Sequence, residues 1–365
     1  MTASISQVES WRASIKRLRR RGRGLLNYVL AHLLGTPTAK RLPLAMDTHR
    51  VLVVRLNKRL GNILFLTPML QALHVGLPRA TIDILIRDQR QAALLSNLPG
   101  VRHIYVQPTS LRAMGSVLSA LRRQHYDLII DPSTNSTSDR VAVALIGARQ
   151  RLGFASEDQW LRLTHAATYP ASRHQAKQGI ALLSGGIADV DFGHWPHLAV
   201  HPDAAAQAAA QSHWQQVLAD TAPAPVIGFF TGATGAKRLD NAWWRAWLDH
   251  MRARAPAARL LQILPPGADS ARLYADGDAV QITELDVLAA LMTRLAVFIA
   301  ADSGPMHLAA ASAVPTVGLF KATSATAYAP LGPGCTTLKK DELTPARAAE
   351  AVSTRLPQCR QLKRA

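Results

Sequence analysis

The chain has 365 residues, 48% of them hydrophobic, with 42 Lys and Arg against 24 Asp and Glu and a formal net charge of +18. That length accommodates two domains of ordinary size, and a soluble globular protein is the default class for the composition. No apolar run reaches the roughly 18 residues of a membrane-spanning helix, while the charge asks for an anionic partner: nucleic acid, lipid headgroups or a phosphorylated ligand.

Residues 1–49 form a separate extension. The first 50 residues hold ten Lys or Arg against Glu9 and Asp47, a net +8. "KRLRRRGRG" runs into "LLNYVLAHLLG", the pattern of a basic and then apolar surface helix that meets an anionic membrane. A secretory signal is disfavoured because the apolar part is short, is broken by Asn27 and His32, and lacks a small-x-small cleavage site. Nucleic acid is disfavoured because no aromatic interleaving or binding motif accompanies the basic run.

From residue 51 short β-rich runs alternate with longer helical ones: "VLVVRL", "TIDILI", "VRHIYV" and "DLIID". This is the signature of a parallel sheet covered by helices. The alternation pauses between about 170 and 222, where "GHWPHLAVH" brings His194, His197 and His201 together without Cys or carboxylates. Surface histidines are the expectation there, not a metal site. An Ala-rich helix and a Pro-rich linker follow, and then a second series: "PVIGFF", "RLLQIL", "AVQIT", "LAVFIAA" and "VPTVGLF". The pattern predicts an α/β protein with two doubly wound, Rossmann-like domains, at 50–200 and 225–340, joined by a linker at 201–224. A C-terminal helix and tail at 341–365 is expected to pack across both. Only Cys335 and Cys359 are present, without CxxC spacing, which fits a reducing cytoplasm.

Neither GxGxxG nor GxxxxGK[ST] is present, which argues against a dehydrogenase and a P-loop NTPase. Instead, three loops at strand ends carry the chemistry. "TGATGAKR" offers glycines for close backbone approach, the hydroxyls of Thr231 and Thr234, and the charges of Lys237 and Arg238. That is a phosphate-binding composition; the plain alternative is a polar turn with solvated cations. Trp243, Trp244 and Trp247 follow at helical spacing and read as core packing. In "AADSGPMHL", Asp302 or Ser303 is placed to cap a helix that opens with Pro305, and such a start favours an anion. His307 in its first turn can reach a phosphate or a sugar hydroxyl. The third loop, "RLNKRLGNIL", ends in Gly61-Asn62, where Asn62 is placed to cap the next helix and Pro68 to kink it.

These stretches resemble glycosyltransferase family 9, the bacterial ADP-heptose:lipopolysaccharide heptosyltransferases. "DSGPMHLAAASAVPTVGLF" looks like that family's donor motif, "VLVVRL…GNILFLTPMLQAL" like its opening strand–loop–helix, and "HYDLIIDPSTNSTSDRVAVALIGARQRLGF" like a segment of its first domain. The resemblance runs in order from about 50 to 355. It implies a GT-B fold, an acceptor held mainly by the first domain, an ADP-sugar held mainly by the second, and inverting transfer without a metal or other cofactor. Carried over residue by residue, Thr231, Gly232, Thr234, Lys237 and Arg238 meet the donor diphosphate. Asp302, Ser303, Gly304, Met306 and His307 meet diphosphate and sugar, Asp269 the nucleotide ribose, and Arg59 and Gly61 the acceptor. The acceptor would be lipopolysaccharide core or another lipid-linked saccharide at the cytoplasmic face of the inner membrane.

One position departs from the pattern. The family loop ends Gly-Asp, and that aspartate is the expected general base, whereas this chain has Asn62 after a loop about one residue longer. An amide cannot accept a proton at neutral pH. Three readings stay open: Asp131 or Asp139 supplies the base, Asn62 only orients the hydroxyl, or the protein binds nucleotide sugar without transferring it. A related transferase using another nucleotide sugar is a further alternative.

Overall fold

The computed structural model describes residues 48–356 apart from 135, 156–159, 162, 171, 188–189, 196, 219–223, 268–271 and 275–276, together with Val29. The extension as a helix, Cys359 and Asp269 lie outside the described residues.

The first half runs β1 (Arg50–Arg55), α1 (Leu60–Leu64), α2 (Thr67–Gly76), β2 (Thr81–Ile86), α3 (Ala93–Ser96), β3 (Val101–Val106), α4 (Leu111–Arg122), β4 (Leu128–Asp131), α5 (Thr137–Ile146), β5 (Gln150–Phe154), β6 (His165–Ala167) and α6 (Gln175–Gly186). Its strands order as β3-β2-β1-β4-β5-β6. After α7 (Ala204–Leu218) come β7 (Val226–Phe230), α8 (Asn241–Arg254), β8 (Arg259–Leu264), β9 (Ala279–Gln281), α9 (Leu285–Met292), β10 (Val297–Ala301), α10 (Gly304–Ala311), β11 (Thr316–Phe320), α11 (Ala325–Tyr328), β12 (Thr336–Lys339) and α12 (Pro345–Ser353). These strands order as β12-β11-β10-β7-β8-β9, the same winding repeated. Pairing is parallel throughout, with β1 between β2 and β4, and β7 between β8 and β10.

Both faces of each sheet are covered, which is why the central strands read as unbroken apolar runs. Alternate residues still go to opposite layers. Val51 and Val53 enter one core and Leu52 and Val54 the other. In the second sheet Phe298 and Ala300 face one layer, Val297 and Ile299 the other. Trp244 and Trp247 are buried in that second layer, as their spacing predicted, and Asp240 caps α8 by accepting from Trp243 N–H at 2.8 Å.

Three local expectations change. Pro68 does not kink a helix; α1 ends before it, and Pro68 sits in the first turn of α2, where its missing N–H costs nothing. Helix α7 is no bare spacer, since Ala206, Ala210 and Leu218 pack into the second domain's core against α9. Helix α12 packs chiefly against α8 through Ala348, Ala349 and Val352, inside the second domain rather than across the two. Among the described residues no helix is long and apolar enough to cross a membrane.

Candidate functional site

Each sheet reverses its strand order beside its central strand, and ligands of such sheets bind beyond the carboxyl ends at that point. Here both reversal points open into one cleft of about 560 Å³, within the range of small-molecule sites.

The wall from the first domain is built on the loop after β1. Asn57 Oδ1 accepts from Arg59 N–H at 2.9 Å, and Asp139 Oδ1 accepts from Leu56 N–H at 3.2 Å, so two side chains hold the loop's backbone. Arg55, Arg59, Gly61 and Asn62 line the cleft. Asn62 is not the cap expected: Arg59 occupies that position without a side-chain cap bond, and Asn62 lies inside α1. The two alternative carboxylates stand behind this wall and are absent from the cleft lining. Asp131 accepts from the backbone N–H and hydroxyl of Ser133, at 2.9 and 2.5 Å. Asp139 Oδ2 lies 3.9 Å from Arg55 Nη1. Burial, reinforced by the charge of Asp139, pushes Asp131 up to about 7, and burial raises Asp139 as well.

The opposite wall comes from the loops after β7 and β10. Gly232, Thr234, Lys237, Asp302, Ser303, Gly304 and His307 all line the cleft. Lys237 Nζ lies 2.7 Å from Asp302 Oδ2, which also accepts from Thr323 Oγ1 at 2.7 Å. His307 Nε2 is 3.6 Å from the other oxygen, Oδ1. Burial by itself would raise the Asp302 carboxyl, but the adjacent His307 ring, the Lys237 ammonium and the hydrogen bond from Thr323 outweigh it and hold it at about 2. Burial lowers His307, so its imidazole is neutral at neutral pH despite Asp302. Ser303 is the N-cap residue of α10, yet its hydroxyl makes no cap bond and is buried without a partner.

Three expected donor residues are placed differently. Thr231 points away from the cleft, its Oγ1 accepting from Gln262 Nε2 at 3.3 Å. Met306 is wholly buried behind α10, where a Cβ on Gly318 would come within 2.9 Å of its sulfur. Arg238 is absent from the lining, and its carbonyl accepts from Lys321 Nζ at 3.3 Å. Asp269 is outside the described residues. Conversely, the cleft is also lined by Arg55, Phe65, Gln175, Thr323 and Tyr328, none of which sequence reasoning singled out. Arg55 and Thr323 carried a usable signal, a polar residue at or just past a strand's carboxyl end; Gln175 and Tyr328 carried none. The histidines of "GHWPHLAVH" are exposed, and no group of three or more His, Cys, Asp or Glu among the described residues is set to hold a metal ion.

The cleft thus presents cations from both sides, and among the described residues Asp302 is its one lining carboxylate. Two like-wound domains facing each other in this way define the GT-B class of glycosyltransferases. Two solved structures share the fold: the glycosyl transferase family 9 protein of Veillonella parvula, with TM-score 0.74 at 20% identity over 86% of this chain and 98% of that one, and Escherichia coli ADP-heptose lipopolysaccharide heptosyltransferase II, with TM-score 0.68 at 20% identity over 85% and 99%. In sequence, lipopolysaccharide heptosyltransferase 3 of Escherichia coli is 25% identical over 291 residues, 72% of this chain and 81% of its own. Residues 114–355 match the description of glycosyltransferase family 9 (heptosyltransferase), and the chain belongs to that family.

Proposed function

We propose that this glycosyltransferase moves heptose from an ADP-heptose-type donor to lipopolysaccharide core or a lipid-linked saccharide, with inversion and without a metal. The observation that carries the reading is the convergence of Lys237, His307 and the start of α10 on the cleft wall opposite Arg55, Arg59 and Asn62. Departure of ADP builds negative charge on the diphosphate. Lys237 and the open N–H groups at the start of α10 are placed to neutralise it. Arg55 and Arg59 then face the acceptor, and Asn62 orients the attacking hydroxyl. As its oxygen bonds the anomeric carbon and the bond to ADP breaks, the hydroxyl proton passes to water or, through water, to Asp131 or Asp139 behind the wall. The work is peripheral on the cytoplasmic face of the inner membrane, through residues 1–49 and their charge. Calorimetry with ADP and ADP-heptose tests the donor: binding that Lys237→Ala weakens is expected, and no such binding sinks the proposal. Competition with UDP- and GDP-sugars separates other donors.

A second reading has its own observation. Asn62 replaces the family's base, and Asp302, the one carboxylate lining the cleft among the described residues, is held at about 2, too acidic to take a proton well. A sugar-nucleotide binder that does not transfer would look like this. Release of ADP in the presence of a core-lipid acceptor eliminates it.

A further inference from the structure

We propose that Gly61 and Gly304 are positioning residues, which set the spacing of the two cleft walls by letting α1 and α10 meet with no Cβ between them. The contact itself stands on geometry, while its catalytic consequence rests on the transferase reading above.

A Cβ built on Gly61 would lie 2.8 Å from His307 Cδ2 and 3.4 Å from Nε2. One built on Gly304 would lie 3.0 Å from both Cβ and Cδ2 of Leu60. The arrangement is reciprocal: each helix start offers its glycine to a side chain of the other. Neither glycine has positive φ, so space and not backbone freedom requires the missing side chain. The partners have little room to yield. His307 is buried with its ring edge-on to Phe65 at 4.7 Å between centroids, and Leu60 Cβ is fixed by the helix backbone.

The contact is backed by an apolar core. Leu64 and Phe65, which belong to the first domain by chain connection, pack in the same apolar cluster as Met306 and Leu308 of the second. Asn62 follows Gly61 directly, and Ser303 precedes Gly304. Any methyl inserted here therefore moves the acceptor-side amide relative to the donor-side helix start. A displacement of about 1 Å between reacting groups costs on the order of 100-fold in rate. Lys237 and the backbone N–H groups at the start of α10, which the Gly61 Cβ does not meet, carry most of the donor diphosphate contact, so ADP affinity should change far less than kcat when Gly61 is altered.

The test compares Gly61→Ala with a matched overpacking elsewhere. Gly179 is the control, because a Cβ there would meet Met69 Cβ at 2.8 Å inside the first domain, and neither residue lines the cleft. Gly115→Ala, with nothing within 4 Å, is the blank. The measurements are melting temperature, ADP affinity, kcat, and the His307 ring resonances in histidine-labelled protein. Gly61→Ala should lower kcat at least about 10-fold, keep ADP affinity within about 3-fold, and move the His307 signals. Gly179→Ala should lose stability while keeping kcat and those signals. Gly304→Ala should also lose activity, and adding Leu60→Ala should restore part of it by removing Cγ and Cδ2.

Wild-type kcat and an unmoved His307 signal in Gly61→Ala would overturn the proposal, as would a Gly304→Ala defect that Leu60→Ala leaves unchanged. If Gly61→Ala fails to fold, the Gly304 and Leu60 pair decides. If the wild-type protein transfers no sugar, the transferase reading fails, and the His307 signals alone decide the contact.

Discussion

Lys237 Nζ lies 2.7 Å from Asp302 Oδ2, so the cation proposed to meet the donor diphosphate is held in place by a carboxylate. The same oxygen accepts from Thr323, and His307 faces its partner oxygen. Asp302 therefore organises three donors at the start of α10. Lys237→Ala removes a charge-assisted contact worth about 1.5–3 kcal/mol, so ADP affinity should fall roughly 10- to 100-fold in calorimetry.

Asp302→Asn should destabilise the protein at pH 7 by roughly 2 kcal/mol, read by urea unfolding. The sign follows from the carboxyl being held at about 2, below its ordinary value of 3.8. Its contribution is present above pH 3.8 and is lost as pH falls through 2, so the gap between variant and wild type should narrow in acid.

Asn62→Asp should raise turnover about 10-fold or more if a missing base limits the rate, since a positioned base contributes roughly 10²–10⁴. Steady-state ADP release measures it. No gain, together with collapse of activity in Asp131→Asn or Asp139→Asn, would place the base behind the first wall.

His174 joins the domains in a fixed tautomer. Its Nδ1 accepts from Ala176 N–H at 3.2 Å, so Nε2 carries the proton and donates to Ala329 O at 2.9 Å. Losing both bonds in His174→Ala should cost about 2 kcal/mol. Burial lowers His174 below 6.5, so its contribution is present above that pH and is lost as pH falls through the lowered value. Thermal melts from pH 8 to 5 should show a decline that flattens in His174→Asn.

The Asp131–Asp139 pair acts in the opposite sense. Burial raises both carboxyls, so their contribution is present below the unfolded value and is lost as pH rises through the raised values, about 7 for Asp131. Asp131→Asn keeps an oxygen for Ser133, and should therefore be more stable than wild type at pH 8 by about 1 kcal/mol or more, with the gain vanishing near pH 4. Urea unfolding at the two pH values checks it.

The strands and the doubly wound class were legible because a strand buried on both faces must be apolar along its length, and such runs recur between helical stretches. The loops at Gly232–Lys237 and Asp302–His307 stood out because glycine, hydroxyl and cation are concentrated where apolar strands stop. Motif membership did not say which way a side chain points. Met306 lies between two cleft-lining residues yet turns inward, because the helix rotates it about 100° from His307. Thr231 begins a phosphate-type loop yet bonds Gln262 on the neighbouring strand. By itself, the sequence determined the strand–helix alternation, the anion-favouring loops and the absence of an acid after Gly61, all of which are local properties of residue type and spacing. Only the tertiary structure decided that β1 and β10 end opposite each other in one cleft. It alone also gave Gly61 its reason: the space over His307 is created by a helix some 240 residues away, and no local pattern records it.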